Sequence, residues 1–198
     1  NQNSIQTTGR DKAPALSYQD AEFYMNTGYR RDDLDWSISG IGGTPNILSE
    51  LTWKDIEIAT INVGTTLYFQ PNWLVNFDLT YGRIFDGKNQ DSDYLGDNRT
   101  LEFSRSNNGA DEGDVYDISL SAGYRYQPSS KLELRPQMGL SYHAQNLKIV
   151  DGQQTVSVPP RQTFPIGPIP GLDTNYDATW FGPWLGLDSK FKFNRFKF

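Results

Sequence analysis

Apolar and polar residues alternate along most of the chain. From Trp73 the odd positions read Trp73, Val75, Phe77, Leu79 and Tyr81, and the even positions Leu74, Asn76, Asp78, Thr80 and Gly82. Successive strand side chains point to opposite faces, so a period of two predicts a strand. Ala59–Phe69 repeats the pattern, with Ile61, Val63, Leu67 and Phe69 against Thr60, Asn62, Gly64 and Thr66. From Tyr116, the residues Ile118, Leu120, Ala122 and Tyr124 oppose Asp117, Ser119, Ser121, Gly123 and Arg125. From Leu132, the residues Leu134, Met138, Leu140 and Tyr142 oppose Glu133, Arg135, Gln137, Ser141 and His143. Over Thr179–Phe193, Phe181, Leu185, Leu187 and Phe191 oppose Trp180, Gly182, Trp184, Gly186 and Asp188. Glu22–Gly40 predicts one more strand, whose parity slips near Arg30–Asp33 as a β-bulge would make it.

These are six strands, several of about 15–20 residues, where a soluble domain uses about 5–6 and a bilayer crossing about 9–11. Gln70-Pro71-Asn72 and Gln127-Pro128-Ser129-Ser130 read as tight turns, and the region near Asn194-Arg195 looks similar. Between them lie long polar segments, Gly40–Leu48, Asp86–Gly113 and Val150–Thr174, which read as loops. Short turns at one end and long loops at the other are the pattern of a transmembrane barrel. Tyr68, Phe69, Trp73, Tyr124, Tyr126, Tyr142 and Trp184 near strand ends would form its aromatic girdles. A soluble sandwich or lipocalin-like barrel would also alternate, but strand length and loop asymmetry favour the membrane. The fold class expected is therefore all-β, an antiparallel transmembrane β-barrel, in a bacterial outer membrane. The domain division is a polar N-terminal segment over 1–20 and a barrel over 21–198.

Six strands do not close such a barrel, since about eight is the minimum. The expectation is a longer chain of which six strands are visible. The other reading hides two strands in Val150–Thr174, one of them Thr155–Val158, against its prolines. Phe191–Phe198 reads as strand, turn and the start of a seventh strand, ending in an aromatic residue.

Composition changes this picture little. The 198 residues carry 24 acidic and 18 basic side chains, a formal charge of −6, so a general nucleic-acid surface is not expected. Cysteine is absent, which excludes disulfides, thiol nucleophiles and thiolate metal sites. One histidine, His143, excludes any site built on two imidazoles. Mean hydropathy is low at −0.62, yet 14% of residues are aromatic, unlike a disordered chain. Asn1–Tyr18 is polar, with no apolar signal-peptide core.

Three short motifs carry a family resemblance. Ser49-Glu50-Leu51-Thr52-Trp53-Lys54 resembles the Ser-x-Leu-x-Trp-Lys signature on the second strand of the omptins, ten-stranded outer-membrane proteases. Asp91-Ser92-Asp93-Tyr94 resembles their aspartate pair, and Tyr116–Leu120 the opening of their fourth strand. The similarity covers about Glu22–Phe193. It implies a ten-stranded barrel and, for an active protease, catalytic Asp91 and Asp93 facing an aspartate–histidine pair across the barrel mouth. That second pair has no counterpart in this sequence, because His143 lies too early. A general base near neutral pH is what the hydrolysis needs. The leading expectation is thus a non-enzymatic barrel with a structural or surface-interaction role. An omptin-type endopeptidase is the alternative, and a narrow channel the weaker one.

Asp91 and Asp93, at i and i+2 on an extended segment, would point the same way. They could hold a water, a cationic side chain or a cation. Asp91, Asp93, Asp97 and Glu102 also fall at ligand positions of an EF-hand-like loop, a Ca²⁺ reading, although Leu95 breaks the pattern and no helices flank it. No other cofactor is expected. The partners expected are outer-membrane lipid and lipopolysaccharide, with a protein partner at the long loops. His143 is expected to hydrogen-bond inside the lumen, in a network with Asp78, Asp117, Arg125, Glu133, Arg135 and Asp188. Trp180 and Trp184, alternating with Gly182 and Gly186, would fill a tapering interior. The Pro159–Pro170 stretch reads as a rigid surface loop.

Overall fold

The computed structural model describes residues 16–159, 163–193, 196 and 197. Residues 1–15, 160–162, 194, 195 and 198 lie outside them, and with them the turn expected near Asn194-Arg195. The strands are β1 (Ser17–Ile38), β2 (Ser49–Gln70), β3 (Trp73–Gly96), β4 (Thr100–Gly109), β5 (Gly113–Tyr124), β6 (Tyr126–Ser129), β7 (Leu132–Ser157), β8 (Gly167–Pro168), β9 (Asp173–Phe193) and β10 (Phe196–Lys197). A single 3-10 turn, Ile41–Gly43, interrupts them.

All pairings are antiparallel, and the long strands follow one another as an up-and-down meander. Both β4 and β5 pair with β3 and β7, so they form one column broken at Ala110–Glu112. The strand β10 folds back onto β9 through Phe196↔Phe193, in line with the expected seventh strand. Among the described residues no ladder joins β1 to β9.

The structure bears out the two faces. The apolar set lies outward, with Phe23 80%, Leu185 83% and Met138 65% exposed. Such a surface is an aggregation hazard in water and the expected one in hydrocarbon. Aromatic pairs mark both its edges. Tyr18–Phe69 and Trp73–Tyr124 sit at the turn end, and Tyr29–Phe85 and Tyr81–Tyr116 at the other. Along β3 they lie eight to twelve residues apart. At about 3.3 Å per residue and a tilt near 40° that is roughly 20–30 Å of height, the thickness of a bilayer core.

Beyond this band the strands keep going. Gly40–Leu48 is a loop with one 3-10 turn, as expected, but Asp86–Gly113 is largely strand and Val150–Thr174 partly so. Residues 86–109 form a hairpin in which β3 runs on to Gly96 and turns into β4. Both of its faces are polar, with Asn89, Gln90, Asp91, Ser92 and Asp93 in succession, so no hydrophobic alternation announces it. Thr155–Ser157 is the end of β7 and not a hidden strand. Likewise β9 begins at Asp173 and β1 at Ser17, inside the segment expected to be an N-terminal arm.

The bulge expected near Arg30–Asp33 exists, but its extra residue is on β2. Asp32 pairs Ile56 and Leu34 pairs Trp53, leaving Lys54 and Asp55 opposite Asp33. Asp55 takes φ +57°, and its N–H donates to Asp33 Oδ1 at 2.8 Å. The apparent slip in β1 has a different origin. Its inward side stays even throughout, but turns from polar Arg30 and Asp32 to apolar Leu34 and Trp36 as the strand leaves the band.

That inversion happens all round the sheet. Trp53, Ile56, Ile58, Ile84, Ala110, Val115, Leu147 and Ile149 form one buried cluster, with Leu34, Trp36, Leu51, Leu172 and Tyr176 packed on it. Every long column contributes to this apolar layer across the interior. Tyr176 of β9 stacks 6.0 Å from Trp36 of β1 and lies 4.6 Å from Trp53, bridging the two unpaired edges.

The two faces make opposite demands on a charge. Leu120→Arg, outward and mid-band, is expected to destabilise insertion by about 2–4 kcal/mol. Ser119→Arg, one residue along and inward, is expected to cost distinctly less. Unfolding of the lipid-reconstituted chain by denaturant, followed by heat-modifiable gel mobility, distinguishes them.

Candidate functional site

Two groups of chemistry-bearing residues result, one on each side of the apolar layer. The first is in the hairpin beyond the band. Asp91 pairs with Leu51 and Ser106, and Asp93 with Ser49 and Ser104. The two carboxylates share a face, as their spacing required. Around them runs a polar ladder. Asn108 Nδ2 donates to Asn89 Oδ1 at 2.8 Å and to Ser106 Oγ at 3.1 Å, and Gln154 Nε2 donates to Ser104 Oγ at 3.1 Å. Burial, and then the charge of Asp93, push the Asp91 carboxyl up to about 6.

The structure does not bring the Ca²⁺ set together. Asp97, in the turn, accepts from the Asn46 backbone N–H at 2.8 Å. Glu102 takes both Nε and Nη2 of Arg105, at 2.7 and 2.9 Å. Among the described residues no three Asp, Glu or His side chains converge as a metal would need. The EF-hand spacing fails because the segment is a hairpin, which leaves Asp91 and Asp93 on β3, Asp97 in the turn and Glu102 on β4. What the tip does instead is fasten itself. Asn46 and Asn98 exchange hydrogen bonds at 2.7 and 3.0 Å. Arg99 Nε grips Glu50 at 2.8 Å, and holds that carboxyl below the usual range.

The second group crosses the lumen inside the band. His143 Nδ1 lies 2.7 Å from Asp117 Oδ1, and Arg30 Nη1 donates to Asp117 Oδ2 at 2.7 Å. Arg30 also grips Asp32 at 2.6 and 2.9 Å, and Gln145 Nε2 donates to Asp32 at 2.5 Å. The chain of contacts ties β1 to β5 and β7 beside a cavity of about 490 Å³ walled by Trp180. The hydrogen bond expected for His143 is made, to Asp117, while the other charges expected around it pair elsewhere. Arg30, Asp32 and Gln145 were missed, since only the three-dimensional register places β1 across from β7.

The remaining lumen charges fall into separate clusters. Asp78 accepts from Tyr24, Asp188 from Gln137 at 2.5 Å, and Glu133 from Arg135 at 2.6 Å. Trp184 Nε1 donates to Ser119 Oγ at 3.1 Å. A side chain at Gly139 or Gly186 would run into its ring, so Gly186 serves packing as expected, whereas space is open at Gly182.

The two groups cannot act on one water. Ladder pairing sets His143 level with Asp117 and Thr80. Asp91 is eleven residues further along β3, roughly 35 Å of strand, with the apolar layer between.

Comparison with known families points to the same membrane. Residues 24–197 match the family Pom, described as Protochlamydia outer membrane protein. The chain belongs to this family. It is accordingly an outer-membrane protein, and the match runs from β1 to β10. The family supports the outer-membrane half of the resemblance read from the motifs and does not single out the omptins. No curated protein matches the chain.

Asp91 holds its proton to a higher pH in the folded chain than in the unfolded one, where about 3.8 applies. Raising the pH between those two values therefore destabilises the hairpin. Hydrogen exchange of β3 and β4 should lose about tenfold in protection across that window, less than the full linkage because the carboxyl keeps some solvent contact. Asp91→Asn should flatten the dependence.

Proposed function

We propose that the protein is a structural and surface-presenting barrel, with the β2–β3–β4–β7 extension facing away from the cell. The short turns then face the periplasm, as in other outer-membrane barrels. Hydrocarbon tolerates no unpaired sheet edge, and β10 begins to cover the edge of β9. The observation that carries the non-conducting reading is the apolar layer, in which Trp53, Ile58 and Val115 are fully buried. Water files and ions need polar groups in single succession, and this layer interrupts them.

A narrow channel is the second reading. It draws on the polar inner face below the layer and its 490 Å³ cavity. An omptin-type protease has only the Asp91–Asp93 pair in its favour, with His143 about 35 Å of strand away.

Planar-bilayer recording of the full chain tests the choice. The plugged reading expects a silent wild type and discrete openings in Trp53→Ala/Ile84→Ala, which removes side chains from the layer. Discrete conductance in the wild type overturns it in favour of the channel.

A further inference from the structure

The turn end of the lumen holds a group of charges that neither reading uses. A cavity of about 260 Å³ opens there, lined by Arg125, Lys131, Arg135, Lys190 and Lys192 and by Asp20, Glu22 and Glu133. Five cations face three carboxylates, in a chain whose formal charge is −6. Two of the cations are neutralised locally. Arg135 donates to Glu133 at 2.6 Å, and Lys190 lies 3.6 Å from Glu22, which also accepts from Tyr68 at 2.8 Å. Among the described residues, Arg125, Lys131 and Lys192 have no carboxylate within ion-pair distance.

Arg125 is nonetheless held in place. Its guanidinium lies 5.5 Å from the Tyr68 ring centre, and that of Arg135 lies 5.2 Å from the same ring. One aromatic ring thus fixes two guanidinium groups at a single mouth without neutralising either. Tyr68 itself is 5% exposed, so the platform is rigid. Planar guanidinium forks with ammonium groups beside them match the oxygens of a phosphate group. The volume accommodates such a group with several waters of about 30 Å³ each.

We propose that this mouth binds a phosphate oxyanion entering from the turn end. The anion is either free, as inorganic phosphate or a phosphomonoester, or the headgroup of a phospholipid in the adjoining leaflet. Arg125 and Lys131 are its principal contacts, with Lys192 at the rim.

Calorimetric titration of the full chain in detergent with inorganic phosphate tests the free-anion source. Native mass spectrometry of the chain released from phosphatidylglycerol or phosphatidylcholine nanodiscs tests the headgroup source. Saturable phosphate binding, weakened about tenfold or more in Arg125→Gln/Lys131→Gln, supports the free anion. Retention of phosphatidylglycerol that the double variant loses supports the headgroup. Lys148→Gln, an ion-paired cation at the other end of the barrel, should leave both unchanged. If the double variant fails to fold, Lys131→Gln alone, at an exposed turn, carries the test. Absence of both kinds of binding, or equal binding by wild type and variant, overturns the proposal.

Discussion

Hydrocarbon offers a peptide group no hydrogen bond, and every strand of this protein is organised around that fact. In the band between the two aromatic girdles each inner backbone group is satisfied by a neighbouring strand, in ladders that run unbroken along most of β2, β3, β5 and β7. With the backbone committed to a sheet, the side chains can only alternate. The lipid side takes Phe, Leu, Met and Tyr, and the inner side takes Thr, Asn, Ser and charged pairs. The arrangement reverses that of a soluble domain, where burial of apolar groups is the main driving force.

Past the outer girdle, water replaces lipid outside the sheet and the preference of the two faces swaps. Leu34 and Trp36 turn inward where Arg30 and Asp32 had done so, and Val115 follows the inward Asp117 in the same way. The result is a conventional core placed as a lid over a polar lumen. On β2 the swap comes between inward Thr60 and Ile58 with no change of parity, and the Lys54–Asp55 bulge beyond it passes the inward side from Ile56 to Trp53 and Leu51. A bulge is the one device that moves a strand's side chains to the other face without breaking the sheet. The core then supports the hairpin that carries Asp91 and Asp93 beyond the membrane.

The interior below that lid is a set of paired charges. Taking charge out of water is costly unless each group is matched. Arg30 satisfies this by gripping two aspartates at once, and Asp117 by accepting from Arg30 while meeting His143. Arg30–Asp117 is made between strands that share no ladder, whereas Arg30–Asp32 lies within β1 and Asp117–His143 within the β5–β7 ladder. The first of these fixes how tightly the sheet curls. At the turn end the matching is incomplete, which is why that mouth stands out from the rest of the interior.

The sequence by itself determined the six long strand columns, their two faces within the band, the tight turn after Gln70 and the membrane setting. All of these follow from a period of two and from which residues tolerate lipid, both local properties. It also placed His143 and Asp117 inside, because inward position is a matter of parity. The tertiary structure alone decided the rest. The hairpin over 86–109 was invisible because both its faces meet polar surroundings, so pairing and not alternation makes it a strand. Asp97 and Glu102 left the acidic set because a hairpin separates residues that a loop would gather. Arg30, Asp32 and Gln145 joined His143 only through the curl of the sheet, which brings the first strand opposite the fifth and seventh. Register and curvature arise from contacts between distant segments, and no window of sequence contains them.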